Sequence, residues 1–295
     1  MDSEHNDTIK KRKTHQDYRC IWMQDGLIYY KLCSLDFNCE NCAMDKVLRG
    51  KYPNVLHEEP EVQYPEVKTY NFEELIGDQH FSHGYYYALL RILYNYFPVI
   101  AYSPEVHYFP MHLWFFDVDA NKIRIGLDDL IGKCLDPIKN VVLPLPGDFI
   151  QKGSAFGWLF MDDWNISLCA PVSGQVTAIN RMTLQNPKFV QQDSHGKGWF
   201  LEMTVEKDTS LYRFTVTKQE TKQWYRDCLL DIFHNVSELI NYDLVKTGVT
   251  AADGGKTVTQ LQQVIDKEQY RLLVKELVKY NLGSIAALNK KRNTL

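Results

Sequence analysis

The sequence has no long hydrophobic run. No segment of its 295 residues approaches the ~20 consecutive apolar residues that a membrane-spanning helix needs. Residues 1–16, MDSEHNDTIKKRKTHQ, are charged and lack the apolar core of a secretory signal. We therefore expect a cytoplasmic protein that does not associate with membranes.

The sequence also has no excess of basic charge. It contains 33 Lys and Arg against 37 Asp and Glu, a formal net charge of -4. Nucleic-acid binding needs a concentrated basic face, and the longest basic run, KKRK at Lys10–Lys13, is typical of a solvated tail. We expect no nucleic-acid partner.

Common catalytic motifs are absent too. There is no glycine-rich phosphate loop, nucleophile elbow or His-Glu-x-x-His helix. Two adjacent carboxylate pairs occur, Asp128-Asp129 and Asp162-Asp163, but neighbouring side chains diverge in a strand, so we expect solvated turns and not acid–base pairs. The sequence predicts a protein that is not an enzyme.

What is present, 45% hydrophobic and 24% charged residues, is enough to build a core. Periodicity fits a helix or a strand equally well in the aromatic-rich segment, but short β-prone runs follow it and capping boxes at Thr217–Glu220 and Thr257–Gln260 then begin helices. The predicted order is a flexible tail at 1–17, a four-cysteine metal-binding unit at 18–50, a linker at 51–71, an aromatic-rich segment packing on the β domain at 72–110, a β domain at 111–206 and a helical region at 207–295.

Four of the seven cysteines lie close together in the sequence. A reducing cytosol and an odd total argue against disulfides. Asp25-Gly26 favours a two-residue hairpin turn that would place Cys20 and Cys33 on one face, and Cys39-x-x-Cys42 can direct two further sulfurs the same way. By contrast, Cys228 lies on the apolar stripe of a helix and is expected to be a buried structural thiol.

Cys20, Cys33, Cys39 and Cys42 therefore suit one closed tetrahedral zinc site, with a four-cysteine iron–sulfur cluster as the alternative. Their spacing matches neither common ferredoxin pattern, which favours zinc. A unit of this size also needs a metal to fold. Four histidines have no accompanying ligand motif and are expected to be core or surface groups: His80, His83, His107 and His112.

Residues 111–203 resemble the H protein of the glycine cleavage system. The motifs that carry the resemblance are MHLWFF, IRIGLDDLIGKCL, VVLPLPGDFIQKG, APVSGQVTAIN and LQNPKFVQQDSHGKGWFLEM. The resemblance implies an α+β protein whose centre is an H-protein-like lipoyl-carrier β domain. Its fold-defining turns would be at Pro171, Gly174, Gly196 and Gly198, where the last two glycines are expected to adopt backbone conformations closed to other residues.

In that family, a lysine at a hairpin tip before the PVSG turn is attached to lipoic acid and carries an aminomethyl group between partner enzymes. The equivalent place here is Asp163, and no lysine occurs between Lys152 and Lys188. A carboxylate cannot form the amide, so we expect no lipoate. The family's Asp-Pro-Tyr-Gly stretch also reads Asp193-Ser194-His195-Gly196, which predicts a weakened docking surface.

Three functions remain open. The first is a non-catalytic, metal-stabilised H-like adaptor that binds another protein, and the second is an iron–sulfur electron-transfer protein that feeds a lipoyl-type redox system. The third is a genuine lipoyl carrier that uses an atypical lysine. The lack of catalytic groups and the acidic hairpin tip favour the adaptor.

Overall fold

The computed structural model describes residues 19–24, 33, 35–49, 63–77, 85–205, 212, 215–239 and 265–278. The chain divides into two compact units, Met1–Asn54 and Val55–Leu295. Among the described helices, none is long and apolar enough to cross a membrane.

The first unit contains short helices. They are α1 (Ile21–Gln24), a 3₁₀ turn (Cys39–Asn41) and α2 (Ala43–Leu48). The predicted hairpin strand before Asp25 is wrong, because the Cys20 carbonyl accepts the N–H groups of both Met23 and Gln24, at 2.9 and 3.0 Å, and closes a helical turn. The Asp25-Gly26 turn itself lies outside the described residues.

The second unit is a mixed α and β structure. Its strands are β1 (Lys68–Asn71), β2 (Val99–Tyr102), β3 (His107–Tyr108), β4 (Leu113–Asp119), β5 (Lys122–Leu127), β6 (Asn140–Val142), β7 (Phe149–Ile150), β8 (Ala155–Phe160), β9 (Asn165–Cys169), β10 (Gly174–Ile179) and β11 (Leu201–Val205). Its helices are α3 (Phe72–Ile76), α4 (Tyr85–Tyr96), α5 (Asp129–Cys134), α6 (Arg181–Gln185), α7 (Phe189–Gln192), α8 (Thr221–Leu239) and α9 (Lys267–Leu277).

Antiparallel sheets form the centre of this unit. A six-stranded sheet has the order β3-β4-β5-β11-β10-β7, and a three-stranded sheet has the order β6-β8-β9. Side chains alternate between buried and partly exposed along β9, as expected of a strand with one face on the core. The hairpin that the family resemblance predicts around Asp163 is present, since β8 and β9 pair as a hairpin in which Phe160 lies opposite Asn165.

The aromatic-rich segment resolves into both kinds of element. It contributes α3, α4, β2 and β3 to the second unit. The predicted linker ends earlier than expected, because β1 pairs with β2 and the ring of Tyr70 stacks on Tyr102 with centroids 3.9 Å apart. Long-range strand pairing, which local composition does not report, orders these residues.

Two helices close the described chain. In front of α8, the Glu220 carboxylate accepts the Thr217 N–H at 2.9 Å, the contact that the first capping box predicts. The cap of α9 is Asp266, whose carboxylate accepts the N–H groups of Glu268 and Gln269. The predicted box at Thr257–Gln260 lies outside the described residues.

The motif glycines are required for space and not for an unusual backbone conformation. Gly196 and Gly198 do not have positive φ, contrary to the expectation. A Cβ at Gly198 would lie 2.3 Å from the Phe189 carbonyl oxygen, and one at Gly196 would lie 2.3 Å from Asp193 Oδ1. Pro171 lies in the β9–β10 connection, whereas Gly174 is already the first residue of β10, where a Cβ would lie 2.4 Å from the Thr204 carbonyl oxygen.

Candidate functional site

The tip of the β8–β9 hairpin is a tight acidic turn. The Met161 N–H donates to the Trp164 carbonyl at 2.9 Å, which leaves Asp162 and Asp163 at the turn between the strands. Both side chains reach solvent, with exposed fractions of 75% for Asp162 and 51% for Asp163. The tip therefore presents two carboxylates and no amine of its own.

Helix α9 supplies cations that hold Asp163. Lys267 Nζ donates to Asp163 Oδ2 at 2.8 Å, and the Arg271 guanidinium donates to Oδ1 of the same carboxylate. These donors, Arg271 first, lower the pKa of Asp163 to about 2, so the carboxylate is ionised at neutral pH. We call Asp163, Lys267 and Arg271 the tip clamp.

The Arg271 side chain of the tip clamp packs against Trp164, which is itself held by a hydrogen bond. The Arg271 side chain is only 7% exposed, and its guanidinium lies 5.6 Å from the centre of the Trp164 ring. The Trp164 indole in turn donates to Asp136 Oδ2 at 2.8 Å. Arg271 is thus oriented by packing as well as by charge, which makes the clamp more specific than an isolated surface ion pair.

A second set of contacts anchors α9 away from the tip. The Tyr270 hydroxyl donates to the Cys134 carbonyl at the end of α5, at 2.7 Å, and lies 3.1 Å from the Tyr96 hydroxyl. Tyr270 and Val274 are both buried. The helix therefore holds its position through a core contact in addition to the tip clamp.

The two carboxylate pairs behave differently. At the tip, Asp162 forms an ion pair with Lys139 at 3.3 Å, and its carboxylate is solvated, as expected. The expectation of a solvated turn is wrong for Asp128 and Asp129, which are 0% and 4% exposed. Asp128 caps α5 by accepting the Ile131 N–H at 2.9 Å, and the carboxylate of Asp129 accepts the Ala101 N–H at 2.7 Å.

The described histidines are not grouped as ligands. His112 Nδ1 lies 2.7 Å from Asp128 Oδ2 in the core, and His107 Nε2 lies 3.7 Å from Asp117. His80 and His83 lie outside the described residues. The contacts of His112 match the expected role of a core group.

The Ser194-His195 pair, whose departure from the family motif predicts a weakened docking surface, lies in the core. The Tyr108 hydroxyl accepts the Ser103 N–H at 2.8 Å and lies 2.8 Å from His195 Nε2. On the other side of the ring, His195 Nδ1 lies 3.1 Å from Ser194 Oγ. Burial lowers the pKa of His195 to about 4, so the imidazole is neutral at pH 7.

Within the first unit, the thiols influence one another without forming a ligand cluster. The pKa of Cys39 is raised by desolvation, then by Asp45, and then by Cys42, Cys33 and Cys20. Across the residues that the structure describes, no group of three or more Cys, His, Asp or Glu side chains is arranged to hold a metal ion. The four thiols therefore lie near one another, but their sulfur atoms are not arranged as a set of metal ligands in this structure.

Comparison with known proteins supplies the family. The family model described as "Glycine cleavage H-protein" matches residues 106–227. The glycine cleavage system H protein of Carboxydothermus hydrogenoformans is 34% identical over 107 residues, which cover 36% of this chain and 82% of that protein. The chain belongs to the glycine cleavage H-protein family.

Two further relatives also match less than half of this chain and most of their own length. The H protein of Mycobacterium avium is 30% identical over 128 residues, 43% of this chain and 96% of that protein. A crystal structure of the H protein from Mycobacterium marinum is 23% identical, covers 38% of this chain and 95% of that one, and superposes with a TM-score of 0.33.

The match to the H-protein family ends before α9. Lys267 and Arg271 both lie beyond residue 227, and the four cysteines of the first unit lie before residue 106. The hairpin that carries Asp163 lies inside the match. The tip clamp thus joins a turn of the family domain to a helix outside it. Sequence reasoning identified Asp163 but missed its partners, because 104 and 108 residues separate them along the chain.

Proposed function

We propose that the protein is a non-catalytic H-protein-like adaptor that carries no lipoyl group at its hairpin tip and binds another protein. One observation supports this most strongly: the tip position at which the family resemblance expects a lysine is Asp163. An amide to a lipoyl group needs a primary amine, which a carboxylate does not have.

The tip clamp supports the same proposal. A carrier lysine needs freedom to swing between partners, whereas Asp163 is held by two cations from α9. The relatives are named as components of a glycine cleavage system, so binding to another protein is the property that this chain is proposed to share with them.

A second candidate has one specific observation in its favour. Lys267 brings an amine to the tip from α9, 2.8 Å from the Asp163 carboxylate, and its side chain is 58% exposed. A lipoyl carrier that uses an atypical lysine could use this group. Acylation would remove the positive charge that pairs with Asp163, so modification of Lys267 would disrupt the clamp.

Intact-mass analysis after co-expression with a lipoate ligase and lipoate separates the two candidates. The adaptor predicts no lipoyl increment on the wild type. Asp163→Lys restores an amine at the tip and adds a like charge that repels Lys267 and Arg271, so we expect it to gain the increment. Asp162→Lys, one residue away, is the matched control and should stay unmodified. A lipoyl increment mapped to Lys267 of the wild type would instead establish the carrier.

The adaptor role itself is tested by affinity capture of the tagged full chain from its own cells. We expect a protein to be retained at a reproducible stoichiometry, and retention should be unaffected by removal of lipoate from the growth medium. Loss of the partner on lipoate depletion would contradict a lipoate-independent adaptor.

A further inference from the structure

Few apolar side chains are buried among the described residues of the first unit. In that part of Met1–Asn54, the buried side chains are Cys20, Met44 and Asp45. A short segment of this kind is one that a bound metal ion can stabilise.

Polar contacts join the two short helices of this unit but do not replace a core. Asp45 on α2 accepts the indole N–H of Trp22 on α1 at 3.1 Å, and it pairs with Arg49 at 2.7 Å. The Arg49 side chain is half exposed, so its pair adds little to the free energy of unfolding. These contacts orient the two helices relative to each other.

The backbone around Cys33 is shaped to receive a thiolate. The Phe37 N–H donates to Cys33 Sγ at 3.1 Å. This contact needs an unusual turn, since Asp36 and Phe37 have positive φ values of 46° and 63°, which side-chain-bearing residues rarely adopt. A backbone N–H directed at sulfur is a hydrogen bond that a metal-bound thiolate can also accept.

The Cys39-x-x-Cys42 segment forms a matching turn. Cys39 donates its N–H to the Phe37 carbonyl at 2.8 Å, and the Cys42 N–H donates to the Cys39 carbonyl at 3.0 Å. The turn therefore follows directly on the one that holds Cys33. Cys20, which is buried, immediately precedes α1.

We propose that Cys20, Cys33, Cys39 and Cys42 bind one zinc ion as four thiolates, in a closed structural site that holds the first unit together. The two consecutive turns already bring Cys33, Cys39 and Cys42 into one short segment. Zinc takes four sulfur ligands tetrahedrally at about 2.3 Å, and the intervals of twelve, five and two residues do not match ferredoxin patterns.

Charge and protons balance in this site. Four thiols and Zn²⁺ give a tetrathiolate centre of net charge -2 and release four protons. The Phe37 N–H, which donates to Cys33 Sγ at 3.1 Å, offsets part of the negative charge.

Elemental analysis of the full-length protein, purified without chelator, tests the assignment. We expect one zinc per chain in the wild type and a loss of at least tenfold in Cys39→Ser. Cys228→Ser is the matched control, because that thiol lies on α8 and should not affect metal content. Equal zinc in the wild type and Cys39→Ser, or no metal in either, would overturn the site, and stoichiometric iron with sulfide would overturn zinc in favour of a cluster.

A second test uses the wild-type protein, so its result does not depend on whether a cysteine variant folds. Co²⁺ added to the metal-free wild type should give the intense visible bands and near-ultraviolet sulfur-to-metal absorption of a tetrahedral tetrathiolate, and Zn²⁺ should remove them. A spectrum without sulfur-to-metal absorption would overturn the proposal. Metal content tests the zinc site, and intact mass tests the absence of a lipoyl group. Either proposal can therefore fail while the other holds.

Discussion

The tip of the β8–β9 hairpin and the turn before β11 belong to the same domain, yet they constrain their residues in opposite ways. Asp163 at the tip is half exposed and is held by ion pairs from a helix outside the family match. Gly198 before β11 has no room for any side chain, because the Phe189 carbonyl would lie 2.3 Å from its Cβ. Packing therefore fixes the residues that carry the fold, whereas the chemistry at the tip can change at little cost to the fold.

The largest expected effect is at the crowded turn. In Gly198→Ala, the added Cβ would lie 2.3 Å from the Phe189 carbonyl oxygen and 2.8 Å from the Asp193 carbonyl oxygen. Both oxygens belong to the backbone, so no side-chain rotation can relieve the clash. We expect the free energy of unfolding to fall by more than about 3 kcal/mol, measured by urea denaturation.

Gly132→Ala on α5 is the matched control for that substitution. Its Cβ would lie 3.5 Å from the nearest carbonyl, an ordinary contact, so we expect little change. A Gly198→Ala protein as stable as Gly132→Ala would show that the turn tolerates a side chain and would remove the contrast with the tip.

An intermediate effect is expected from the buried His195. Burial lowers its folded pKa to about 4, below the ordinary 6.5, while Asp128 raises it and Lys133 lowers it by smaller amounts. The unfolded state therefore binds a proton that the folded state does not between these values, so stability falls as pH drops from 6.5 to 4. The loss is at most about 3 kcal/mol.

Urea unfolding of the wild type and of His195→Phe, from pH 6.5 to 4, measures how much His195 contributes to the loss of stability. Phenylalanine keeps a ring against Trp114, whose ring stacks on His195 at 5.6 Å, but it cannot titrate. We expect a flatter pH profile for His195→Phe, while His234→Gln, which removes an exposed imidazole on α8, should follow the wild type. Parallel profiles for the wild type and His195→Phe would contradict the assignment.

The smallest expected effect is at the tip. Asp163→Asn weakens the clamp, but Asp163 is half exposed and Arg271 keeps its pair with Glu268, so the melting temperature should fall by no more than about 3 °C. Hydrogen exchange of residues 265–278 should accelerate, whereas Asp162→Asn, which loses only its pair with Lys139, should leave that exchange unchanged.

The effect of Asp163→Asn should also depend on pH. The pKa of Asp163 is lowered to about 2, so its contribution is present above the ordinary value of 3.8 and is lost as pH falls towards 2. The difference in exchange between the wild type and Asp163→Asn should therefore shrink below pH 4. A difference that persists at pH 2 would mean that the clamp does not depend on the ionised carboxylate.

The sequence predicts best those elements that depend on residues close together along the chain. The β8–β9 hairpin, the central strands and the Thr217–Glu220 contact follow from alternation, turn residues and capping, and family motifs identified Asp163. The burial of Asp128 and Asp129 and the pairing of β1 with β2 depend on residues distant in sequence, so a local pattern could not predict them. The α1 turn was mistaken for a strand because Cys20–Gln24 contains β-prone residues but closes its own helical hydrogen bonds.

The central claim, that this H-protein-like domain carries no lipoyl group, is tested most directly on the protein isolated from the cells that make it. We predict that intact-mass spectrometry will give the mass of the polypeptide without a lipoyl increment, and that peptides spanning Asp163 and Lys267 will be unmodified. A stoichiometric lipoyl increment on any lysine would contradict the account.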